Sequence, residues 1–340
     1  MSYTSTSHYK SVLITGVSGF LGSHLAESIL VESSLGNIKE DYRVIGIDNF
    51  CTGLASNVTY LKQKFPKNFL FIEKDVIQPW DDVNSILTEA IKSEISHVFH
   101  FASPASPPHY QRLSLETLWV NTLGLSHALR FADDIGARVI FSSTSEVYGD
   151  PDVSPQPENY WGNVNSFGPR ACYDEAKRFG EALIYSWNLR HQTKHGLVRI
   201  FNTYGPRMNP NDGRVIINFL VQALAGQDLT IYGDGRQTRS FCFVADLING
   251  IKKYALTDIT FPVNFGNDRE FTVLELAEKV QAHFAKKQSQ IVFLEKAKDD
   301  PAQRRPDLSL AKKLFPEWGP KVTLEEGLSK TAQWLQLNSR

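Results

Sequence analysis

The stretch SVLITGVSGFLG, which runs from Ser11 to Gly22, decides how this chain begins to fold. Its first five residues are apolar enough to form a buried strand, and glycines follow at Gly16, Gly19 and Gly22. Glycine permits a tight turn, a close approach of the backbone to a pyrophosphate, and packing of the next helix against the strand. The N-terminus of that helix carries a partial positive charge that favours phosphate. The stretch therefore predicts a strand, a turn and a helix that bind a dinucleotide.

Short apolar runs of the same kind recur through the first 201 residues. The predicted strands cover residues 11–15, 43–47, 69–72, 97–101, 138–141 and 196–201. Helix-length segments separate these strands, and runs that are apolar on both faces are typical of a parallel sheet covered by helices on both sides. The predicted fold is therefore a Rossmann-type α/β fold with a doubly wound parallel sheet.

The character of the sequence changes after residue 204, because Gly, Pro and Asn punctuate residues 205–240. We predict a dinucleotide-binding domain over residues 10–204, with residues 241–266 packing back on it. Residues 205–240 and 267–335 are predicted to form a smaller, interleaved α/β lobe that binds the substrate. Residues 1–9 are predicted to be a loose N-terminus.

The composition excludes several classes of protein. A formal net charge of −1 gives no basic surface for nucleic acid. The N-terminus is too polar for a signal peptide, and no apolar run approaches the ~20 residues that a membrane helix needs. The three cysteines, Cys51, Cys172 and Cys242, fit neither a zinc spacing nor a disulfide framework. We therefore expect a cytoplasmic protein that binds no metal, membrane or nucleic acid.

Asp48 stands at the end of the second predicted strand, where an acidic side chain can accept hydrogen bonds from the ribose hydroxyls of adenosine. No lysine or arginine stands near it to receive a 2′-phosphate, which favours NAD over NADP. Asn49, Asp75 and Val76 are further candidates at the adenosine end. The full set of predicted cofactor-binding residues is Gly16, Gly19, Phe20, Leu21, Gly22, Asp48, Asn49, Asp75, Val76, Tyr173 and Lys177.

Tyr173 and Lys177 are four residues apart, so on a helix they share one face. A lysine ammonium beside the phenol favours the phenolate and is expected to lower its pKa from the usual ~10. The tyrosine can then take a proton from a sugar hydroxyl, and Thr144, at the end of the fifth strand, can hydrogen-bond the same oxygen. Tyr-x-x-x-Lys is common by chance, but here it follows a nucleotide-binding turn and a Ser/Thr-rich strand end.

With these motifs the chain resembles the extended short-chain dehydrogenase/reductase superfamily and, within it, the UDP-glucuronic acid decarboxylases. The resemblance covers nearly the whole chain. Its most specific segments are ASPASP (102–107), STSEVYGDP (143–151), YWG (160–162), GPRACYDE (168–175), RIFNTYGPRM (199–208) and YGDGRQTRSF (232–241).

The resemblance implies a redox-neutral reaction that borrows NAD. Tyr173 deprotonates the C4 hydroxyl of UDP-glucuronate, and the 4-ketone that forms lies β to the C6 carboxylate, so that carbon dioxide leaves from an enolate. Protonation at C5 and return of the hydride then give UDP-xylose. Ser145, Glu146 and Arg207 match family positions near C5 and the carboxylate, and Arg207 has the chemistry to grip a carboxylate. The predicted catalytic residues are Thr144, Ser145, Glu146, Tyr173, Lys177 and Arg207.

The resemblance also implies residues for the rest of the substrate. Asn202, Arg239 and Arg305 reach the diphosphate, and Arg214, Val215 and Tyr232 lie near the uridine. Pro104, Ala105, Ser106 and Trp161 form the wall of the sugar pocket. A homodimer is implied through long helices around residues 112–133 and 172–192.

Four other functions stay open at this point. A decarboxylase could release the 4-keto pentose before the hydride returns. A 4,6-dehydratase needs an acid to expel the C6 hydroxyl, and its usual Asp-Glu pair appears here as Ser145-Glu146. A 4-epimerase needs neither Glu146 nor an arginine for a carboxylate. A non-catalytic NAD-sensing protein would tend to lose Tyr173 or Lys177, and both are present.

Overall fold

The computed structural model describes residues 11–35, 43–285, 288–295 and 303–338. The predicted loose N-terminus, residues 1–9, lies outside the described residues. The strands are β1 (Ser11–Thr15), β2 (Arg43–Asp48), β3 (Phe69–Glu73), β4 (Ile95–His100), β5 (Arg138–Thr144), β6 (Gly196–Ile200), β7 (Thr203–Tyr204), β8 (Leu229–Tyr232), β9 (Thr238–Ser240), β10 (Cys242–Phe243), β11 (Val263–Phe265), β12 (Glu270–Thr272), β13 (Ile291–Leu294) and β14 (Gln303–Arg304).

The α-helices are α1 (Phe20–Leu35), α2 (Ala55–Lys64), α3 (Asp81–Ile86), α4 (Glu89–Glu94), α5 (Pro107–Arg112), α6 (Ser114–Trp119), α7 (Leu125–Ile135), α8 (Ala171–His191), α9 (Val215–Ala225), α10 (Val244–Ala255), α11 (Val273–Phe284), α12 (Ser309–Leu314) and α13 (Leu324–Asn338). A π-helical turn, Val120–Gly124, joins α6 to α7, and a short 3-10 helix, Ser145–Tyr148, follows β5. None of the helices in the described ranges is both long and apolar enough to cross a membrane.

One sheet of seven strands forms the centre of the molecule, in the order β11-β6-β5-β4-β1-β2-β3. Every neighbouring pair in it is parallel. Helices lie between successive strands, which confirms the predicted doubly wound α/β fold. Strand β11 joins the sheet beside β6, so a segment from late in the chain completes one edge.

Alternation along β1 explains why the sheet is buried on both faces. Val12 and Ile14 belong to the apolar core that also holds Leu25 of α1, whereas Leu13 belongs to the core that holds Leu129 of α7. Successive side chains of a strand point to opposite faces, so an uninterrupted apolar run supplies both cores. Full burial of each such side chain stabilises the fold by roughly 1.5–3 kcal/mol.

The carboxyl ends of the parallel strands lie at one edge of this sheet. Gly16 follows β1, Asp48 ends β2 and Thr144 ends β5. Three small sheets accompany the large one: β7 with β10, β8 with β13, and β9 between β12 and β14. Ligands of open α/β sheets bind in the crevice outside the carboxyl ends of the strands. The topology therefore places the polar strand ends where a dinucleotide and a substrate can meet.

Candidate active site

A cavity of about 370 Å³ is lined both by the glycine turn and by the Tyr173 region. The predicted site residues that line it are Gly16, Gly19, Phe20, Leu21, Gly22, Ala105, Ser106, Thr144, Ser145, Glu146, Tyr173, Lys177, Asn202, Arg207, Arg214, Val215, Tyr232 and Arg239. The predicted site residues outside its lining are Asp48, Asn49, Asp75, Val76, Pro104, Trp161 and Arg305. Folding thus brings residues from widely separated parts of the chain to one space.

The glycine turn needs glycine for steric reasons. Gly16 has a φ of +75°, and a Cβ there would lie 2.7 Å from the backbone nitrogen of Ala102. A Cβ on Gly22 would lie 2.2 Å from the carbonyl oxygen of Gly16. Helix α1 begins at Phe20, so its free amide groups lie at the cavity wall. The turn therefore offers a pyrophosphate backbone that it can approach closely and a helix N-terminus with a partial positive charge.

Asp48 ties the end of β2 to this turn. Its carboxylate accepts hydrogen bonds from the backbone N–H groups of Ser18 at 2.9 Å and of Phe50 at 2.8 Å. Burial raises the pKa of Asp48, and these hydrogen bonds act in the opposite direction. Asn49 and Asp75 likewise accept from nearby backbone amides, those of Cys51 and Ile77. These acceptors stand at the ends of β2 and β3, where the adenosine end of NAD was predicted.

Tyr173, Lys177 and Thr144 meet where α8 crosses the end of β5. The Lys177 Nζ donates to the carbonyl oxygen of Ser142 at 2.6 Å and lies 5.7 Å from the centre of the Tyr173 ring. The phenol of Tyr173 hydrogen-bonds the side chain of Thr144. The four-residue spacing on α8 therefore places both side chains at the cavity, as the sequence predicted.

The pKa of Tyr173 differs from the prediction that Lys177 lowers it. Burial raises the pKa of Tyr173 above its ordinary value, and the hydrogen bond from Thr144 only partly opposes this effect. Burial also lowers the pKa of Lys177 to about 7, because its ammonium has been taken out of water. The pKa of Tyr173 is therefore set mainly by desolvation, and the groups that act to lower it are Thr144 and Arg214.

Glu146 is held between two arginines that the sequence analysis did not select. Arg170, just before α8, and Arg304, in β14, both form ion pairs with its carboxylate. Burial works to raise the pKa of Glu146, but the charges of Arg304 and Arg170 prevail and lower it. All three side chains line the cavity beside Thr144 and Tyr173, so Glu146 is an anion with cations on either side.

Asp174 is the fourth member of this charged cluster and lies on the side of Arg170 away from the cavity. Arg170 Nε lies 3.6 Å from its Oδ2, and the residue is 5% exposed. Burial and the charge of Glu146 raise the pKa of Asp174 to about 7, while Arg170 and Arg304 oppose the rise. Arg170 could have been found from the sequence, because it stands four residues before Asp174, a spacing that favours an ion pair on a helix. No local pattern in the sequence indicates Arg304.

Arg207 lies in a different environment from the one predicted. Its Nη2 contacts Glu27 Oε2 at 2.6 Å and His24 Nδ1 at 2.7 Å, and both partners belong to α1. Its backbone has a φ of +65°, a region that costs a non-glycine residue about 1–3 kcal/mol. Arg207 lines the cavity, but its guanidinium binds side chains of α1 and does not contact Glu146. The cations that contact Glu146 are Arg170 and Arg304.

Two predicted substrate residues are also placed elsewhere. Trp161 is 89% exposed and lies outside the cavity lining, away from the other residues predicted for the sugar pocket wall that line it, Ala105 and Ser106. Arg305 contacts Glu270 at 3.3 Å with its side chain 39% exposed, whereas its neighbour Arg304 faces the cavity. Tyr110, which also lines the cavity, was missed by the sequence analysis: its ring stacks on that of Tyr173 with 5.0 Å between centres.

The chain is similar to known proteins over nearly its whole length. The NAD dependent epimerase/dehydratase family matches residues 12–260. The UDP-glucuronic acid decarboxylase 1 of Danio rerio is 44% identical over 334 residues, which cover 98% of this chain and 74% of that protein. The UDP-glucuronic acid decarboxylase 6 of Arabidopsis thaliana is 44% identical over 317 residues, covering 93% of this chain and 86% of that protein.

Solved structures show the same architecture. The UDP-glucose 4-epimerase of Thermotoga maritima, with UDP-glucose, superposes with a TM-score of 0.83 at 27% identity, over 97% of this chain and 100% of that one. The UDP-glucuronic acid 4-epimerase of Bacillus cereus, in complex with UDP-glucuronic acid and NAD, gives a TM-score of 0.81 at 26% identity, over 96% and 99%. The chain therefore belongs to the NAD dependent epimerase/dehydratase family and, within it, to the UDP-glucuronic acid decarboxylases.

Proposed function

We propose that this protein decarboxylates UDP-glucuronate to UDP-xylose, with NAD regenerated in each turnover. The observation that carries the proposal is the arrangement of Tyr173, Thr144 and the Glu146 cluster around the cavity that the glycine turn also lines. A proton acceptor for a sugar hydroxyl and two guanidinium groups for a carboxylate thus stand side by side.

The glycine turn and Asp48 fit a dinucleotide, because the turn is closed against Ala102 and its own backbone only where side chains are missing, and the helix N-terminus that follows it lies at the cavity. NAD held by these residues would supply a hydride acceptor for C4 and a cationic ring that favours the phenolate of Tyr173. Tyr173 takes the proton of the C4 hydroxyl, and Thr144 holds the same oxygen. The two then donate hydrogen bonds to the enolate oxygen that develops as carbon dioxide leaves.

The rest of the substrate is assigned to residues around the same cavity. We propose that Asn202 and Arg239 bind the diphosphate, and that Arg214, Val215 and Tyr232 bind the uridine. Arg214 is oriented by Asp212, whose Oδ2 accepts from its Nη2 at 2.8 Å. Glu146 is proposed to orient Arg170 and Arg304 toward the C6 carboxylate, the role earlier expected of Arg207. The chain is proposed to form a dinucleotide-binding domain and a substrate-binding lobe with the predicted bounds.

We also propose a cytoplasmic homodimer. Its three cysteines are all unpaired, which fits a reducing compartment. Leu115, Trp119 and Leu123 are exposed at intervals of four residues along α6 and the π-helical turn, and Tyr185 and Leu189 are exposed on the neighbouring α8. Apolar side chains exposed together on adjacent helices favour a second copy as the partner.

The first experiment is to incubate the purified protein with UDP-glucuronate, with and without added NAD, and to follow the products by NMR. UDP-xylose without net NADH supports the proposal. A UDP-4-keto-pentose with stoichiometric NADH would keep the decarboxylation but replace the closed cycle by product release. Turnover of UDP-glucose by epimerisation or dehydration, with none of UDP-glucuronate, would refute the proposal.

A further inference from the structure

The charged cluster beside Tyr173 consists of Glu146, Arg170, Arg304 and Asp174, and one of its two carboxylates does not line the cavity. Glu146, Arg170 and Arg304 line the cavity, whereas Asp174 lies behind Arg170 and is 5% exposed. Within the described residues, the Oδ1 of Asp174 has no hydrogen-bond partner, although its Oδ2 lies 3.6 Å from Arg170 Nε. A buried carboxyl group whose oxygen receives no hydrogen bond is more stable as the neutral acid than as the charged carboxylate.

The charges of this cluster decide what it can bind. With both carboxylates ionised, two positive and two negative charges cancel, and an entering anion finds no net positive charge. With one carboxylate protonated, the cluster carries a single positive charge that matches a single carboxylate. Glu146 is the poorer site for that proton, because both arginines contact it directly.

Asp174 is the better site, as its surroundings show. The groups whose charges act on it are Glu146, Arg170, Arg304, Tyr110, Tyr173 and Cys172. Arg170 contacts Asp174 at a longer distance than it contacts Glu146, so it compensates the Asp174 charge less. An additional anion in the cavity would oppose ionisation of Asp174 further.

We propose that Asp174 takes up a proton when the substrate carboxylate enters the cavity beside Arg170 and Arg304, so that the anion and the proton bind together. This inference rests on the proposed function, since it requires a substrate with a carboxylate. The only covalent change in the step is formation of an O–H bond on Asp174 by a proton from solvent. Asp174 is a positioning residue, because it acts through Arg170 and does not reach the substrate.

The proposed uptake equals the number of protons that the reaction consumes. Decarboxylation breaks the C5–C6 bond, leaves the electron pair on the sugar and replaces the lost carbon dioxide by a hydrogen on C5. One proton is therefore consumed in each turnover, the same number that Asp174 takes up when the carboxylate binds. UDP-xylose, which lacks the carboxylate, should bind without such uptake.

Calorimetry can measure this proton directly. The NAD-saturated Tyr173→Phe variant, in which turnover is slowed, is titrated with UDP-glucuronate and with UDP-xylose in buffers of different ionisation enthalpy. At about one pH unit above 7, we expect uptake approaching one proton with UDP-glucuronate and almost none with UDP-xylose. The affinity for UDP-glucuronate should fall about tenfold per pH unit above that point, as linkage requires.

Adding Asp174→Asn to this variant should abolish the uptake and flatten the pH dependence of the affinity, while UDP-glucuronate still binds. The matched control is Glu175→Gln, because Glu175 is the neighbouring carboxylate and pairs with Arg178 at 3.6 Å, outside the cluster. It should behave like the parent. The titrations of the parent stand by themselves if the Asp174→Asn variant does not fold.

Three results would overturn the inference: uptake that persists in Asp174→Asn, equal uptake with UDP-xylose, or binding of UDP-glucuronate without uptake in the parent. The last of these would leave the proposed function intact. If UDP-glucuronate failed to bind and the wild-type protein failed to turn it over, the proposed function would fall, and this inference with it.

Discussion

At the scale of single residues, strand geometry decides which of two adjacent arginines belongs to the site. Arg304 and Arg305 stand at and just after β14, and successive side chains of an extended chain point to opposite sides. The Arg304 side chain is 6% exposed and pairs with Glu146, whereas the Arg305 side chain is 39% exposed and pairs with Glu270. A buried ion pair is costly to break, and an exposed one contributes little.

This difference predicts unequal effects of two neighbouring substitutions. Arg304→Ala should lower kcat/KM by at least ~100-fold, since it leaves Glu146 with only Arg170 as a partner. Arg305→Ala should change kcat/KM by no more than about threefold, because its pair is partly solvated. Initial rates of UDP-xylose formation measure both. Comparable losses in the two variants would show that Arg305 also serves the substrate.

Tyr173→Phe removes the proton acceptor while keeping the ring that stacks on Tyr110. We expect turnover to fall by about 10²–10⁴-fold, the usual contribution of a general base. NAD binding should be kept, because the glycine turn is unaffected. Absorbance spectroscopy during incubation with UDP-glucuronate checks the assignment: NADH accumulating in this variant would mean that another group deprotonates the C4 hydroxyl.

At the scale of elements, the turn between β1 and α1 is closed against neighbouring backbone. Gly22→Ala would place a Cβ 2.2 Å from the carbonyl oxygen of Gly16, so the backbone of the turn must shift. We expect NAD affinity to fall by more than about tenfold, because the phosphate depends on that backbone.

The matched control for this prediction is Gly319→Ala, where an added Cβ meets no atom of the described structure within 4 Å. Its NAD affinity should equal that of the wild type. Fluorescence titration with NAD compares the two variants, and a Gly22→Ala protein with unchanged affinity would show that the turn does not hold the pyrophosphate.

At the scale of the whole molecule, burial makes the fold sensitive to acid. His100 in β4 is fully buried, with Nε2 donating to the carbonyl oxygen of Val120 at 3.0 Å. Burial lowers the pKa of His100 to about 3, and the charge of Lys177 acts in the same direction. Below pH ~6.5 the unfolded chain binds a proton at this position that the folded protein does not, so stability is lost as the pH falls.

The measurable consequence is the slope of the free energy of unfolding against pH. His100 should contribute a loss of about 1.4 kcal/mol in the free energy of unfolding per pH unit between pH ~6.5 and ~4. Urea unfolding of the wild type and of His100→Gln across that range isolates this contribution, because the carboxylates are common to both. Identical slopes would mean that His100 is protonated in the folded protein.

The proposed homodimer also predicts a contrast between two exposed leucines. Leu189 on α8 is 74% exposed and Leu337 on α13 is 72% exposed, so they are equally accessible in one chain. A charge at a dimer interface opposes association, whereas a charge on free surface does not. Sedimentation analysis should find Leu189→Glu monomeric and Leu337→Glu dimeric; a dimer in both cases would exclude α8 from the interface.

The sequence by itself determined the central sheet, the glycine turn and the pairing of Tyr173 with Lys177. These features depend on local patterns: apolar runs bounded by helices, glycines that follow a strand, and a four-residue spacing along one helix. Such patterns can be read from a single segment because the backbone periodicity is the same in every protein.

Only the tertiary structure decided the electrostatics of the site. Glu146 and Arg304 are 158 residues apart in the chain, and their contact depends on how β14 pairs with β9. Likewise, Arg207 turned out to bind Glu27 of α1, and burial raised the pKa of Tyr173 where a neighbouring lysine had suggested the opposite. Contacts between distant segments and the loss of water around a charge are properties of the assembled fold, and no local spacing encodes them.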